Sequence, residues 1–288
     1  MPNQWWLVTL TLETRAQEMA STILFDHGST GIVTLHENDA TTTLGAYFNE
    51  HSSAQHIAQS IESELSRAGH PHALRDCNVS SVAEEDWLQK WKEGFEAIQI
   101  GKRIIVSPSW KLPKEDLDRI VIQIDPGMAF GTGTHESTRL CLEAIERHWR
   151  GGSLLDVGTG TGILAIGAAL LQPGSGAVGI DVDPRAVEVA QENVAINKLS
   201  GKVDLFVGQP HTLAGQSFDI VVANLTAEVV VELMHDLVSC VANGGLLILS
   251  GILVILVGEV EESLIAAGCT LIERRDAGEW TALVALKS

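Results

Sequence analysis

Three alternate glycines, in Asp156-Val157-Gly158-Thr159-Gly160-Thr161-Gly162, constrain this chain more than any other stretch, because an apolar run stands on each side of them. Ser153–Val157 reads as a buried strand and Ile163–Leu171 as a helix, so the glycines occupy a strand-to-helix turn where backbone must approach a ligand closely. Spacing then selects among ligands. A dinucleotide turn of the G-x-G-x-x-G kind would need a glycine at position 163 after Gly158 and Gly160, and Ile163 stands there instead.

A glycine cluster alone can be an ordinary tight turn, so a second signal is needed. Asp181 supplies it, nineteen residues after Gly162 at the end of the next strand-like run, 177–180. A carboxylate about 20 residues past such a turn is placed to accept hydrogen bonds from the two hydroxyls of an adenosine ribose. The competing role for Asp181 is a helix cap. Asp183, immediately before Pro184, fits that role better and leaves Asp181 for the ligand.

Composition narrows the partner class. A net charge of −18 argues against a grip on phosphate backbones, which needs clustered Lys and Arg. A basic protein partner suits that field, although acidic surface is also the common route to solubility. The four cysteines, Cys77, Cys141, Cys240 and Cys269, form no C-x-x-C pair, which suits a reducing cytosol and offers no metal site. The opening residues Met1 to Trp6 lack the basic start and apolar core of a signal peptide, and the most apolar run, 244–258, is too short to span a bilayer. A cytoplasmic protein acting as a monomer is the expectation.

The 288 residues suffice for one large domain and one small one. Residues 1–80 read as strand, helix, strand, strand, helix, strand, the order of a split β-α-β unit of the ferredoxin-like kind. This region carries nine acids against three bases and six of the ten histidines, at 27, 36, 51, 56, 70 and 72. Their spacing matches no ligand pattern such as H-E-x-x-H, and solvated turns account for them. Residues 81–113 read as a linker helix and connector, the helix striped by Trp87, Trp91 and Phe95 at intervals of four. A hinge there would let the small domain carry a substrate to the cofactor.

From residue 114 onward strands alternate with helices. Near-continuous apolar strands, beginning with 120–124, imply a parallel sheet covered on both faces. The last two, 270–273 and 281–286, have no helix between them and should close as an antiparallel hairpin.

Two further motifs flank the glycine turn. Upstream lies Asp125-Pro126-Gly127-Met128-Ala129-Phe130-Gly131-Thr132-Gly133-Thr134-His135, running into a helix that carries Thr138 in its first turn. Backbone of this kind can lie over a cofactor, with the Thr138 hydroxyl pointing back at it. Downstream, Asn224-Leu225-Thr226 follows the strand 218–223 at the carboxyl edge of the sheet, where ligands bind in open α/β folds.

The D-x-G-x-G-x-G turn resembles motif I of the Rossmann-like methyltransferases that bind S-adenosylmethionine, and D-P-G-x-A-F-G-T-G-T-H resembles the signature of the PrmA family of ribosomal protein methyltransferases. Trp87-Leu88-Gln89-Lys90-Trp91-Lys92 and Ser107-Pro108-Ser109-Trp110 extend the likeness over nearly the whole chain, most strongly from 125 to 251. Two positions depart from the family pattern: Ala97 stands where proline is usual, and Thr226 where a larger aliphatic is usual.

The resemblance implies a seven-stranded, Rossmann-like class I methyltransferase domain over 114–288, preceded by a ferredoxin-like α+β domain that recognises the substrate. It implies S-adenosylmethionine as cofactor, protein eleven of the large ribosomal subunit as partner, and its lysine and N-terminal amino groups as acceptors. Aligned positions give Thr138, Gly158, Gly160, Asp181 and Asn224 to cofactor binding, and Asn224 also to catalysis. Asn224 would accept an N–H from the incoming amine through its side-chain carbonyl. His135, beside a helix start, reads as a capping or packing residue. The alternatives are a lysine methyltransferase with another protein substrate, an RNA or small-molecule methyltransferase, and a silent fold that only binds. The acidic balance and the missing Pro-Pro-aromatic after Asn224 disfavour the RNA or small-molecule reading.

Overall fold

The computed structural model describes residues 4–83, 97–113, 119–125, 133–213 and 215–288. The expected linker helix, with Trp87, Trp91 and Phe95, and the loop residues 126–132 lie outside the described residues. The chain divides into two compact units, Met1–Glu96 and Ala97–Ser288.

In the first unit the order is β1 (Gln4–Glu13), α1 (Gln17–Asp26), β2 (Gly31–Glu37), β3 (Thr41–Phe48), α2 (His51–Arg67) and β4 (Leu74–Ala83). The sheet order is β2-β3-β1-β4, every pair antiparallel. Strand alternation explains the core: Val8, Leu10 and Leu12 of β1 are buried with Leu24 of α1 and Ile57, Ile61 and Leu65 of α2. Solvated turns do not account for all of the histidines, since His36 lies in β2, His51 and His56 lie in α2, and His70 is buried. The His27 ring lies 2.9 Å from a Glu64 oxygen and His51 stacks on Trp6.

The second unit begins with β5 (Ile98–Ile100), β6 (Ile104–Ser107) and β7 (Ile120–Gln123). These form their own three-stranded sheet, β5-β6-β7, with β6 and β7 parallel. This corrects two expectations. Residues 97–113 are not only connector, because Ile100, Ile104 and Val106 are buried in the main core of this unit. Strand 120–124 does not join the large sheet, because its apolar residues pair with β6 instead.

The large sheet is built from β8 (Ser153–Val157), β9 (Gly176–Asp181), β10 (Val203–Val207), β11 (Phe218–Asn224), β12 (Val241–Leu253), β13 (Cys269–Ala277) and β14 (Trp280–Lys287). Their order is β10-β9-β8-β11-β12-β14-β13. The first five run parallel, and β14 enters antiparallel between β12 and β13. Alternate side chains feed opposite faces. Leu154, Ile220, Val222, Ile248 and Val284 pack with α3 (Glu136–His148) and α4 (Ile163–Leu171). Leu155, Val221, Ala223, Leu247, Leu249, Leu283 and Ala285 pack with α6 (Ala227–Cys240) and α7 (Val257–Ala266). A sheet covered on both faces explains why its strands read as continuous apolar runs. Between β9 and β10 runs α5 (Pro184–Ile196). The chain leaves β8 toward β9 and β10, then returns to β11 on the other side, so the crevice opens at the carboxyl ends of β8 and β11.

Candidate active site

A cavity of about 520 Å³ lies in that crevice, within the range of small-molecule sites. Four of the five parallel strand ends contribute to it: Gly158 and Gly160 after β8, Asp181 to Asp183 at β9, Gly208 to Pro210 after β10, and Asn224 with Leu225 at β11. Ala186 of α5 and Val229 and Leu233 of α6 complete an apolar wall.

The glycine turn is tied down by backbone. The N–H groups of Gly158 and Thr159 both donate to the carbonyl of Ile180 at 2.9 Å. Gly158 has φ +70°, a conformation that favours glycine, and a Cβ there would stand 2.6 Å from Leu225 Cδ2 and push that side chain aside.

Beneath the turn, Asp156 is fully buried, and its Oδ2 accepts from the Thr159 hydroxyl at 2.8 Å and the Ala165 N–H at 3.2 Å. Burial, reinforced by the charge of Asp181, pushes this carboxyl up to about 7 against those two hydrogen bonds. The nearby Cys141 thiol is also pushed up, by burial first and then by the Asp156 charge, while a hydrogen bond with Ser250 opposes the rise. Asp156, through Thr159 and Ala165, supports the turn from below.

Asp181 lies where the spacing put it. One carboxylate oxygen accepts from Gly160 N–H and the other from Asp183 N–H, each at 3.0 Å. Each oxygen keeps a second lone pair for a ligand hydroxyl. Asp183, as expected, caps α5 by accepting from Arg185 N–H at 2.9 Å.

Asn224 lines the cavity with Gly158 and Asp181. Its amide nitrogen donates to the Thr138 hydroxyl at 3.2 Å, while its buried Oδ1 has no partner among the described residues. A buried carbonyl left in this state costs about 1–3 kcal/mol unless a donor arrives. Thr138 itself is fully buried in the first turn of α3. The structure places its hydroxyl against the Asn224 amide. His135 is the N-cap of α3: its Nδ1 accepts from Ser137 N–H, and its ring meets Trp280 edge-on at 4.7 Å. Burial pushes its imidazole down to about 4, so the ring is neutral near pH 7.

Sequence reasoning missed Gly251 and the segment Gly208 to Pro210. Gly251 lies in β12 with φ +79°, and a Cβ there would stand 2.5 Å from the Leu225 carbonyl oxygen and 3.0 Å from Asn224 Oδ1. A glycine inside an otherwise apolar strand is the signal that could have found it.

The two glycine-rich segments share one anchor. Asn193 of α5, fully buried, donates to the Thr161 carbonyl at 2.9 Å and accepts from Asp125 N–H at 3.1 Å. The Asp125 carboxylate in turn accepts from the N–H and hydroxyl of Ser109, both at 2.7 Å.

Comparison with known proteins gives the family of the chain. The family described as "Ribosomal protein L11 methyltransferase (PrmA)" matches residues 4–288. A ribosomal protein L11 methyltransferase of Pelobacter propionicus is 36% identical, covering 99% of this chain and 98% of its own. One of Geobacter metallireducens is 44% identical over 72% of this chain and 68% of its own. The crystal structure of a ribosomal protein L11 methylase from Lactobacillus delbrueckii subsp. bulgaricus superposes with a TM-score of 0.62 at 30% identity, covering 67% of this chain and all of that one.

Proposed function

The chain belongs to the ribosomal protein L11 methyltransferase family, and from that premise we propose that its cavity holds S-adenosylmethionine while Asn224 presents amino groups of ribosomal protein L11 for methylation. The observation that carries this reading is that Asn224, whose Oδ1 is unpartnered among the described residues, lines the same cavity as Asp181 and Gly158.

The residues present fit that cofactor. Asp181 offers free lone pairs to ribose hydroxyls, Gly158 and Gly160 give backbone room, and Ala186, Val229 and Leu233 offer an apolar wall for a flat base. S-adenosylmethionine supplies an electrophilic methyl on a sulfonium. The protein's work is alignment, which accounts for most of such a rate enhancement.

Asn224 Oδ1 accepts an N–H of the incoming amine and aims its lone pair. A lysine amine, with an ordinary pKa near 10.4, must shed a proton first. Leu225 and Val157 give the mouth an apolar character that disfavours the charged form, so no strong base is needed. His135 is engaged as a cap and is not a candidate for that task.

The first unit, with its β-α-β-β-α-β order and antiparallel sheet, is read as a ferredoxin-like domain that recognises the substrate. Its nine acids against three bases over residues 1–80 suit a basic ribosomal protein. Residues 114–288 are assigned to the methyltransferase domain, the acceptors to lysine side chains and the N-terminal amine, the working state to a cytoplasmic monomer, and nucleic acid is not expected as a direct partner. Among the described residues no helix is long and apolar enough to cross a membrane.

The test is to incubate the full chain with S-adenosylmethionine and recombinant ribosomal protein L11 and to weigh the product. Mass gains in whole methyl increments on lysine and N-terminal peptides are expected. An unmodified product, with cofactor binding intact, would overturn the substrate assignment.

A further inference from the structure

Resting on the reading that the cavity holds S-adenosylmethionine, we propose that Asn193 is a positioning residue for that cofactor, whose single side-chain amide keeps the glycine turn and the end of β7 in one register.

Strand β7 lies at the edge of its three-stranded sheet, so alternate N–H groups along it have no neighbouring strand to meet. The N–H groups of Ile120 and Ile124 donate toward β6, to the carbonyls of Arg103 and Ser107. Those of Gln123 and Asp125 turn the other way and are taken by side chains at the end of α5. Asn197, the C-cap of that helix, accepts from Gln123 N–H at 2.9 Å. Asn193, one turn before it, accepts from Asp125 N–H at 3.1 Å.

The two asparagines differ at their donor ends. Asn197 Nδ2 turns back to the carbonyls of Gln123 and Asn193. Asn193 Nδ2 instead reaches the Thr161 carbonyl, in the glycine turn, at 2.9 Å. Partners 32 and 68 positions away in the chain thus meet on one amide. That task needs a donor and an acceptor at fixed spacing; a carboxylate lacks the donor, and an aliphatic side chain lacks both. The amide is 99% buried, its residue being 1% exposed, so water competes little for either bond.

The rest of α5 ties this anchor to the cavity. Three residues before Asn193, on the same face, the Ala190 methyl lies 3.2 Å from where a Cβ on Gly162 would stand. Nearer its start the helix lines the cavity through Ala186, and its cap Asp183 lines it beside Asp181. Asp125 is also held from its other side, where its carboxylate accepts from Ser109. With the Asn193 amide in place, Gly158 and Gly160 face the cavity on a turn already fixed against β7. Without it, turn and strand end settle independently, and the cofactor must order them as it binds.

The experiment compares full-length wild type with Asn193→Leu, Asn193→Ala and the control Asn197→Leu. Affinity for S-adenosylmethionine is read by calorimetry, stability by thermal melting, and backbone exchange by hydrogen–deuterium mass spectrometry with and without the cofactor. All three variants should melt earlier than wild type. Both Asn193 variants should raise the dissociation constant by about 10- to 100-fold, the scale of one or two residues ordered on binding, and Asn197→Leu by less than about threefold. The cofactor should slow exchange at 157–163 and at 120–125 in wild type, but only at 157–163 in the Asn193 variants. Asn193→Ala, a strong helix former of small size, carries the test where Asn193→Leu does not fold.

Unchanged affinity in the Asn193 variants would overturn the proposal. An equal rise for Asn197→Leu would do so too, by tracing the loss to general loosening of α5, as would cofactor protection at 120–125 that survives without the Asn193 amide. A wild type with no affinity for S-adenosylmethionine sinks the cofactor reading, whereas a wild type that binds it no better than its Asn193 variants sinks this one.

Discussion

The Asn224 amide nitrogen rests on the hydroxyl of Thr138, a residue 86 positions earlier in the chain, while the oxygen of the same amide meets no donor among the described residues. Strand β11 delivers one partner and helix α3 the other, so the pair exists only once the α/β unit is assembled.

Replacing Asn224 by alanine should lower kcat by about 100-fold, since it removes the group that orients the amine. Cofactor affinity should change less. Steady-state kinetics beside calorimetry separate the two, and equal losses in both would reassign Asn224 to cofactor retention alone.

Asp181→Ala should weaken S-adenosylmethionine binding by at least about tenfold, because hydrogen bonds to a charged group contribute about 1.5–3 kcal/mol. Part of the loss comes from the turn, as Gly160 N–H loses its acceptor. Titration calorimetry reads the effect, and unchanged affinity would remove the ribose role.

Gly251→Ala combines strain with crowding. With φ +79° and the Leu225 carbonyl 2.5 Å from the new Cβ, a destabilisation of about 1–3 kcal/mol is expected. Turnover should fall as well, because the methyl group lies beside Asn224 Oδ1. A variant with wild-type melting temperature and kcat would show that β12 relaxes freely at this point.

His135 gives a pH dependence with a defined sign. Burial brings its imidazole from 6.5 down to about 4, so the unfolded chain takes up the proton first as the pH falls. Stability carried by the neutral ring is fully present above about pH 6.5 and is lost progressively toward pH 4. His135→Asn keeps a cap acceptor without titrating, so its melting temperature should fall less than that of wild type between about pH 7 and 5. Parallel profiles for the two proteins would refute the shift.

Much of the site was legible because local rules governed it. The glycine turn is defined by its flanking apolar runs, Asp181 by its distance from that turn, and Asp183 by the proline after it. What escaped depended on which segments lie alongside one another in the fold. The run at 120–124 looks like any buried strand, since periodicity reports burial and not which strand lies alongside; only the pairing of β7 with β6 removes it from the large sheet. Thr138 carries no sequence mark distinguishing a contact with cofactor from one with Asn224. Gly208 to Pro210 reach the cavity only because β10 lies beyond β9 in the sheet order.

Strand β14 is the last described strand in the chain, yet it pairs with β12 beside Gly251, and its Trp280 supports the ring that caps α3. Chains fold from the N-terminus as they are synthesised. While β14 is still unmade, β12 lacks its neighbour and His135 lacks its support. Val284 of β14 enters the core on one face of the large sheet and Leu283 and Ala285 the core on the other, so this one strand closes both faces at once.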